Sequence, residues 1–379
     1  MGQQAPASNF TEIPIINLAL ASGSSSPADR ESCLTQLRHA LTNVGFLYIV
    51  NHGVPETAIS NVVEILPRLF AMPDEAKDEV ALGNSPQFLG FSGNGAETTA
   101  GRRDRREQFE FATELGEVWD DAAGGVPLYE RLRGPNQWPS GYPEIRPVVE
   151  TYIHELTLLG ERFLRLVAEA LFLPPETFFS FLSEQHRLKL VHYPATDNET
   201  DSDSEQRQGV GPHKDSSGWW TFLLQASPPH VRGLQALNKQ GAWVDVPNIA
   251  GSFVVNIGQA FEVVTNGVCK ATTHRVVLAG PESERFSVPF FQGVRRDLTR
   301  GKAVGSLKGH FESWSTGPGG DGLHAHQPQL ETEREIDSPF LKGKYDTWGE
   351  SQLRTKIRSH RDVGRKFYGQ VFEEYVNDD

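Results

Sequence analysis

Apolar positions along the first third of the chain alternate between strand and helix spacing. Ile13-Pro14-Ile15-Ile16 is a short β-branched run and predicts a strand. Leu34, Leu37, Leu41 and Val44 recur at steps of three and four, the period of a one-sided helix, with Gly45 as its stop. Phe46-Leu47-Tyr48-Ile49-Val50 then reads as a buried strand, and Pro55 opens a helix carrying Ile59, Val62, Val63 and Leu66. Tyr152, Leu156, Leu159, Phe163, Leu166 and Ala170 mark a long helix that Pro174-Pro175 should stop.

From about Arg187 the pattern changes. Short apolar runs at Thr221 to Leu224, Phe253 to Asn256, His274 to Leu278 and Phe286 to Phe291 are broken by Gly, Pro and Asn. Such spacing predicts an antiparallel sandwich or jelly roll. Leu353, Ile357, Phe367 and Val371 predict a closing helix. Polar stretches at 195–208 and 317–329 read as loops, and His324 and His326 in the second as solvated residues without a third ligand at fixed spacing.

The chain has 379 residues, including 36 Gly and 24 Pro, which fits a turn-rich β core. Its net charge of −13 disfavours nucleic acid or an acidic membrane as partner. Two cysteines, Cys33 and Cys269, make no disulfide framework and point to a reducing, cytoplasmic setting. The opening residues show no secretory or myristoylation pattern, and no apolar stretch is long enough to span a bilayer. The triplets Asn9-Phe10-Thr11 and Asn198-Glu199-Thr200 read as chance matches to a glycosylation site.

The strongest chemical signal is His213-Lys214-Asp215 followed by a distant His274. On a strand, residues two apart face one way, so His213 and Asp215 can share an ion. A third imidazole completes a facial two-histidine, one-carboxylate set, which leaves positions open as Fe(II) oxygen chemistry requires. Arg285 and Ser287 are likewise two apart, and a guanidinium fork with a hydroxyl suits a carboxylate. Taken alone, Arg285 reads first as a surface ion pair with Glu282 or Glu284, and its place soon after His274 on an apolar strand reverses that order. Trp219, Trp220, Phe222 and Phe291 stand near these motifs, with core packing as their default role and a pocket wall as the alternative.

In this order the motifs resemble the Fe(II)/2-oxoglutarate dioxygenases of the isopenicillin N synthase-like branch. The likeness rests on 43–54 (NVGFLYIVNHGV), on 104–111 (DRREQFEF), on Asn256-Ile257-Gly258, on Thr273-His274-Arg275-Val276 and on Arg285-x-Ser287. Gln259 stands where that branch commonly has Asp. The resemblance implies a mixed α/β (α+β) fold with a distorted double-stranded β-helix, or jelly-roll, core. It divides one integrated catalytic unit into an N-terminal α/β region (1–180), the core (181–300) and a C-terminal loop and helical region (301–379). It implies iron on His213, Asp215 and His274, the C5 carboxylate of 2-oxoglutarate on Arg285, Ser287 and Tyr193, and O2 as co-substrate. The reaction would decarboxylate 2-oxoglutarate to succinate while a small molecule is oxidised.

The segment 95–101 (GAETTAG) is similar to one in the ethylene-forming enzyme, where the matching glutamate and threonine contact arginine. This implies substrate contacts for Glu97 and Thr99. Arg358-Ser359-His360 resembles a C-terminal family segment, which adds Arg358 to the expected substrate contacts, with Lys189 and Phe291 as further candidates. Lys189 stands where the arginine-handling branch has Arg, and Ser216 where it has Tyr, and a lysine does not reproduce a planar fork. Two other readings stay open: an oxidase of the isopenicillin N synthase type that needs no 2-oxoglutarate, and a metal- and 2-oxoglutarate-binding module with weak catalysis.

Overall fold

The computed structural model describes residues 10–99, 102–120, 125–195, 208–216, 218–278, 284–315, 338, 340–342 and 345–377. His324, His326, both glycosylation-like asparagines and most of the two polar stretches lie outside the described residues.

The first strand, β1 (Ile15–Asn17), pairs in parallel with β2 (Phe46–Val50). Between them runs the helix Pro27–His39, capped by Ser26. Its last turn, Ala40–Val44, is a π-helix, which the leucine spacing does not reveal. Gly45 closes that wide turn by donating its N–H to the Ala40 carbonyl at 2.8 Å, with a left-handed φ of 72°. A Cβ there would stand 2.0 Å from the Lys270 carbonyl oxygen, so only glycine fits.

Next come the helix Glu56–Phe70, opened by Pro55, and β3 (Gly90–Ser92), β4 (Thr98–Thr99), β5 (Arg102–Arg103) and β6 (Glu107–Ala112). The helix Ile145–Ala170 ends before the prolines expected to stop it. Phe172 turns left-handed at φ 58°, and the Leu173 N–H returns to the Ala168 carbonyl at 2.9 Å. The remaining strands are β7 (Arg187–Tyr193), β8 (Gln208–His213), β9 (Gly218–Gln225), β10 (Leu234–Leu237), β11 (Trp243–Asp245), β12 (Ser252–Ile257), β13 (His274–Val277) and β14 (Arg285–Gly293).

Eight strands form one sheet in the order β1-β2-β12-β9-β14-β7-β6-β3, and four form a second in the order β11-β10-β13-β8. All core pairings are antiparallel, the two-sheet arrangement of a jelly roll. Strand β2 adds directly to β12, and β6 to β7, so N-terminal strands extend the core sheet.

Alternation along β14 divides the two faces of the large sheet. Val288 and Phe290 bury against the helices, with Phe163, Trp219, Trp220 and Phe222 in the same cluster. The other face meets the small sheet over Tyr48, Val191, Val210, Leu234 and Val276. Trp219, Trp220 and Phe222 are therefore core residues. The closing helix expected from the sequence is three helices, Trp348–Ser359, Arg361–Phe367 and Gly369–Asn377. The first break falls at His360, whose backbone leaves the helical region at φ −130° and ψ 75°. No described helix is long and apolar enough to cross a membrane.

Candidate active site

Strand pairing assembles the candidate metal-binding set. His213, ending β8, lies opposite His274, which opens β13, and their ring centroids are 4.3 Å apart. Asp215 follows His213 by two residues and sends Oδ1 to within 3.6 Å of His213 Nε2 and 3.7 Å of His274 Nε2. One candidate ligand atom from each side chain lies within 4.8 Å of the others.

The ring protons are directed away from this point. His213 Nδ1–H donates to the Gly211 carbonyl at 2.8 Å, and His274 Nδ1–H to the Thr272 carbonyl at 3.1 Å. A carbonyl only accepts, so each Nε2 keeps its lone pair for a metal. The Asp215 carboxyl is held below its ordinary range: burial opposes this, and the adjoining His274, His213 and Thr221 outweigh it. Burial and the neighbouring His213 hold His274 down to about 4, so the imidazole is neutral and able to ligate. Two imidazole nitrogens and one carboxylate oxygen on one side of a point suit octahedral Fe(II) with open positions.

Cross-strand register places Arg285 of β14 directly opposite Tyr193 of β7. The guanidinium carbon sits 5.0 Å from the tyrosine ring centre. Arg285 is 3% exposed, its Nη2 donates to Gln225 Oε1 at 3.4 Å, and its Nη1 has no hydrogen-bond partner among the described residues. Ser287 is buried on the same strand face, and Tyr193 is buried opposite. A buried cation with an unpartnered donor is costly unless an anion joins it.

All three metal-site residues, with Arg285, Ser287 and Tyr193, line one cavity of about 350 Å³. Glu97, Thr99, Lys189 and Phe291 line it as well. Arg358 does not: from the helix Trp348–Ser359 and its end, Gln352, Thr355, Lys356, Ser359 and His360 face the cavity. Arg358 is turned about 200° from Lys356 around the helix, on the side where its charge acts on Tyr345. Lys356 carries no motif that singles it out in the sequence, and His360 stands in the Arg358-Ser359-His360 segment without a role assigned to it, although their spacing of four with Gln352 marks one helix face.

Buried charges crowd the cavity wall beyond the metal set. Glu97 pairs with Arg106, with Lys189 at 3.2 Å and with His360 at 2.9 Å. Glu110 pairs with Lys356 at 2.5 Å, Lys189 at 3.0 Å and Arg187 at 3.4 Å. Both carboxyls lie below their ordinary range, because these cations outweigh the effect of burial. Thr99 Oγ1 donates to buried Asp104 at 2.7 Å, and Asp104 also pairs with Arg106 at 3.2 Å.

A jelly roll that presents two histidines and a carboxylate beside a buried, unsatisfied arginine defines a class: non-haem metal oxygenases that use a keto acid. Residues 13–141 match the family described as non-haem dioxygenase in morphine synthesis N-terminal, and residues 185–294 match the 2OG-Fe(II) oxygenase superfamily. The 2-oxoglutarate-dependent dioxygenase frbJ of Dothideomycetidae sp. (strain 11243) is 40% identical over 95% of this chain and 92% of its own. The Homoarginine-6-hydroxylase 2-ODD-C23 of Glycine max is 30% identical over 77% and 88% respectively. The fold is shared with the dioxygenase for auxin oxidation of rice, with a TM-score of 0.58 and 26% identity over 83% of this chain and 99% of that one. The chain belongs to the 2OG-Fe(II) oxygenase superfamily, in its isopenicillin N synthase-like family. It is an Fe(II)- and 2-oxoglutarate-dependent dioxygenase, with O2 as co-substrate.

Proposed function

We propose that His213, Asp215 and His274 hold the iron, that Arg285, Ser287 and Tyr193 receive the C5 carboxylate of 2-oxoglutarate, and that a small molecule is oxidised in the remaining space. The observation that carries this reading is Arg285 Nη1, buried without a partner among the described residues in the cavity that His213, Asp215 and His274 also line. Once bound, iron and 2-oxoglutarate supply the oxidising chemistry, in which O2 converts the keto acid to succinate and CO2 as the substrate is oxidised.

The protein's own residues bind, orient and exclude water. Asp215 is fixed by Thr221 and Asn256 at 2.5 and 2.6 Å, so its other oxygen keeps one direction. Val191, Val210, Leu234 and Val276 make the cavity wall apolar between the sheets, which strengthens the electrostatic grip of Arg285 on a carboxylate. Glu97, Thr99, Lys189 and Phe291 line the space left for the prime substrate. Relatives named for hydroxylation of homoarginine support hydroxylation of a small polar molecule. Ethylene release is not part of the proposal. The net charge of −13 supports a partner other than nucleic acid, and two buried free cysteines fit a cytoplasmic setting.

Incubation with Fe(II), 2-oxoglutarate and O2 tests the assignment through succinate. Iron- and oxygen-dependent succinate, lost in His213→Ala, is expected. Equal succinate from His213→Ala would overturn the ligand set, and no succinate with any substrate would favour an oxidase that bypasses 2-oxoglutarate.

A further inference from the structure

The charges of the cavity wall do not balance. Among the described residues it presents six cations, Arg106, Arg187, Lys189, Lys214, Arg285 and Lys356, against three carboxylates, Glu97, Glu110 and Asp215. Two acids behind the wall offset two of the cations: Glu262 lies 3.3 Å from Lys214, and Asp104 lies 3.2 Å from Arg106. The two charges of Fe(II) and the two of 2-oxoglutarate cancel. One positive charge is left over in a largely buried space, where an uncompensated ion is expensive.

Its place is Lys356. Among the described residues this ammonium makes one hydrogen bond, to Glu110 Oε2 at 2.5 Å, which leaves two further protons to donate. Burial, with Arg187 and Lys189 pushing the same way against Glu110, brings Lys356 down to about 8. Glu97 shows the opposite condition. Lys189 donates to its Oε1, with His360 Nε2 2.9 Å from the same oxygen, and Arg106 donates to its Oε2. A guanidinium fork needs both oxygens of a carboxylate, and here both are already engaged. A metal ion among Glu97, Glu110 and His360, whose ligand atoms also cluster, would face Arg106, Arg187, Lys189 and Lys356.

We propose that the prime substrate is an organic monoanion whose carboxylate is received by Lys356, and not a guanidinium compound held on Glu97. The proposal rests on the reading of this cavity as an iron and 2-oxoglutarate site. A monoanion makes the loaded cavity neutral. A cationic molecule of similar size adds a second unopposed charge and gains no free carboxylate.

One scaffold in three charge states tests this: arginine as the cation, citrulline as the zwitterion and 5-ureidopentanoate as the monoanion. Each is titrated anaerobically into the Fe(II)·2-oxoglutarate protein and followed by calorimetry and by the visible charge-transfer absorption. Affinity should rise from arginine to citrulline to 5-ureidopentanoate. Lys356→Met should weaken 5-ureidopentanoate binding by about tenfold or more, while Lys356→Arg, which keeps the charge, retains most of it. Arginine binding as tightly as the monoanion, no binding of the monoanion, or unchanged affinity in Lys356→Met would each overturn the proposal. Titration of 2-oxoglutarate in the same variants separates the two readings. Unaltered 2-oxoglutarate affinity leaves the co-substrate site standing, whereas failure of the wild type to bind 2-oxoglutarate removes that site itself.

Discussion

Asn256 Nδ2 donates to Asp215 Oδ2 across 2.6 Å, while the other oxygen, Oδ1, faces His213 and His274. Thr221 Oγ1 donates to the same Oδ2 at 2.5 Å. The two donors come from paired strands, since Asn256 of β12 lies opposite Thr221 of β9. They occupy one oxygen and leave the other facing the two imidazoles, where it would hold a metal ion. Replacing Asn256 by Ala should weaken metal binding by about 10- to 100-fold. Competition with a chromophoric chelator measures this without turnover, and Thr221→Val should act in the same direction.

Arg285→Leu removes a buried guanidinium that the cavity offers to a carboxylate. The affinity for 2-oxoglutarate should fall by about 30-fold or more, the scale seen when one partner of a buried charged pair is truncated. Calorimetry of the metal-loaded protein reads it directly, and metal affinity should stay unchanged.

His186 gives the fold a dependence on pH. It is buried, its Nδ1 accepts the Gly293 N–H at 3.0 Å, and burial holds it down to about 4. The folded form therefore disfavours the proton that the unfolded chain binds below its ordinary value near 6.5. Stability is full above that value and is lost as pH falls toward 4. At pH 5 the loss from this one group is about 2 kcal/mol. Denaturant unfolding at pH 7 and pH 5 should show it, and His186→Gln should flatten that part of the profile.

Gly45 is a packing constraint at the entry to β2. Gly45→Ala should destabilise the fold by about 2 kcal/mol or more, from the left-handed backbone and the collision with the Lys270 carbonyl. Gly23→Ala, where a Cβ meets nothing within 4 Å, should change stability by less than about 0.5 kcal/mol. Chemical denaturation of the two variants compares them.

Much of the site is legible because strands carry a period of two. His213 with Asp215, and Arg285 with Ser287, share a face by that rule, and the β14 alternation divides cavity from core. What the sequence leaves open is which distant strands meet. Register alone brings His274 to His213 and Tyr193 to Arg285. The family resemblance points to Arg358 for the C-terminal contribution, yet the helix period turns that residue away and brings Lys356 and His360 in. The π-turn at Ala40–Val44 leaves no trace in apolar spacing, because it is closed by a backbone bond from the Gly45 N–H to the Ala40 carbonyl. The buried pairing of Glu110 with Lys356 joins residues far apart in the chain, and no local pattern encodes it.

Anaerobic titration of Fe(II) into the protein with 2-oxoglutarate, followed by the visible absorption that arises when the keto acid chelates iron, bears most directly on the central assignment. The band should saturate at one iron per chain and be absent in His274→Ala. A band of full strength in His274→Ala, or none in the wild type, would contradict the three-residue metal site.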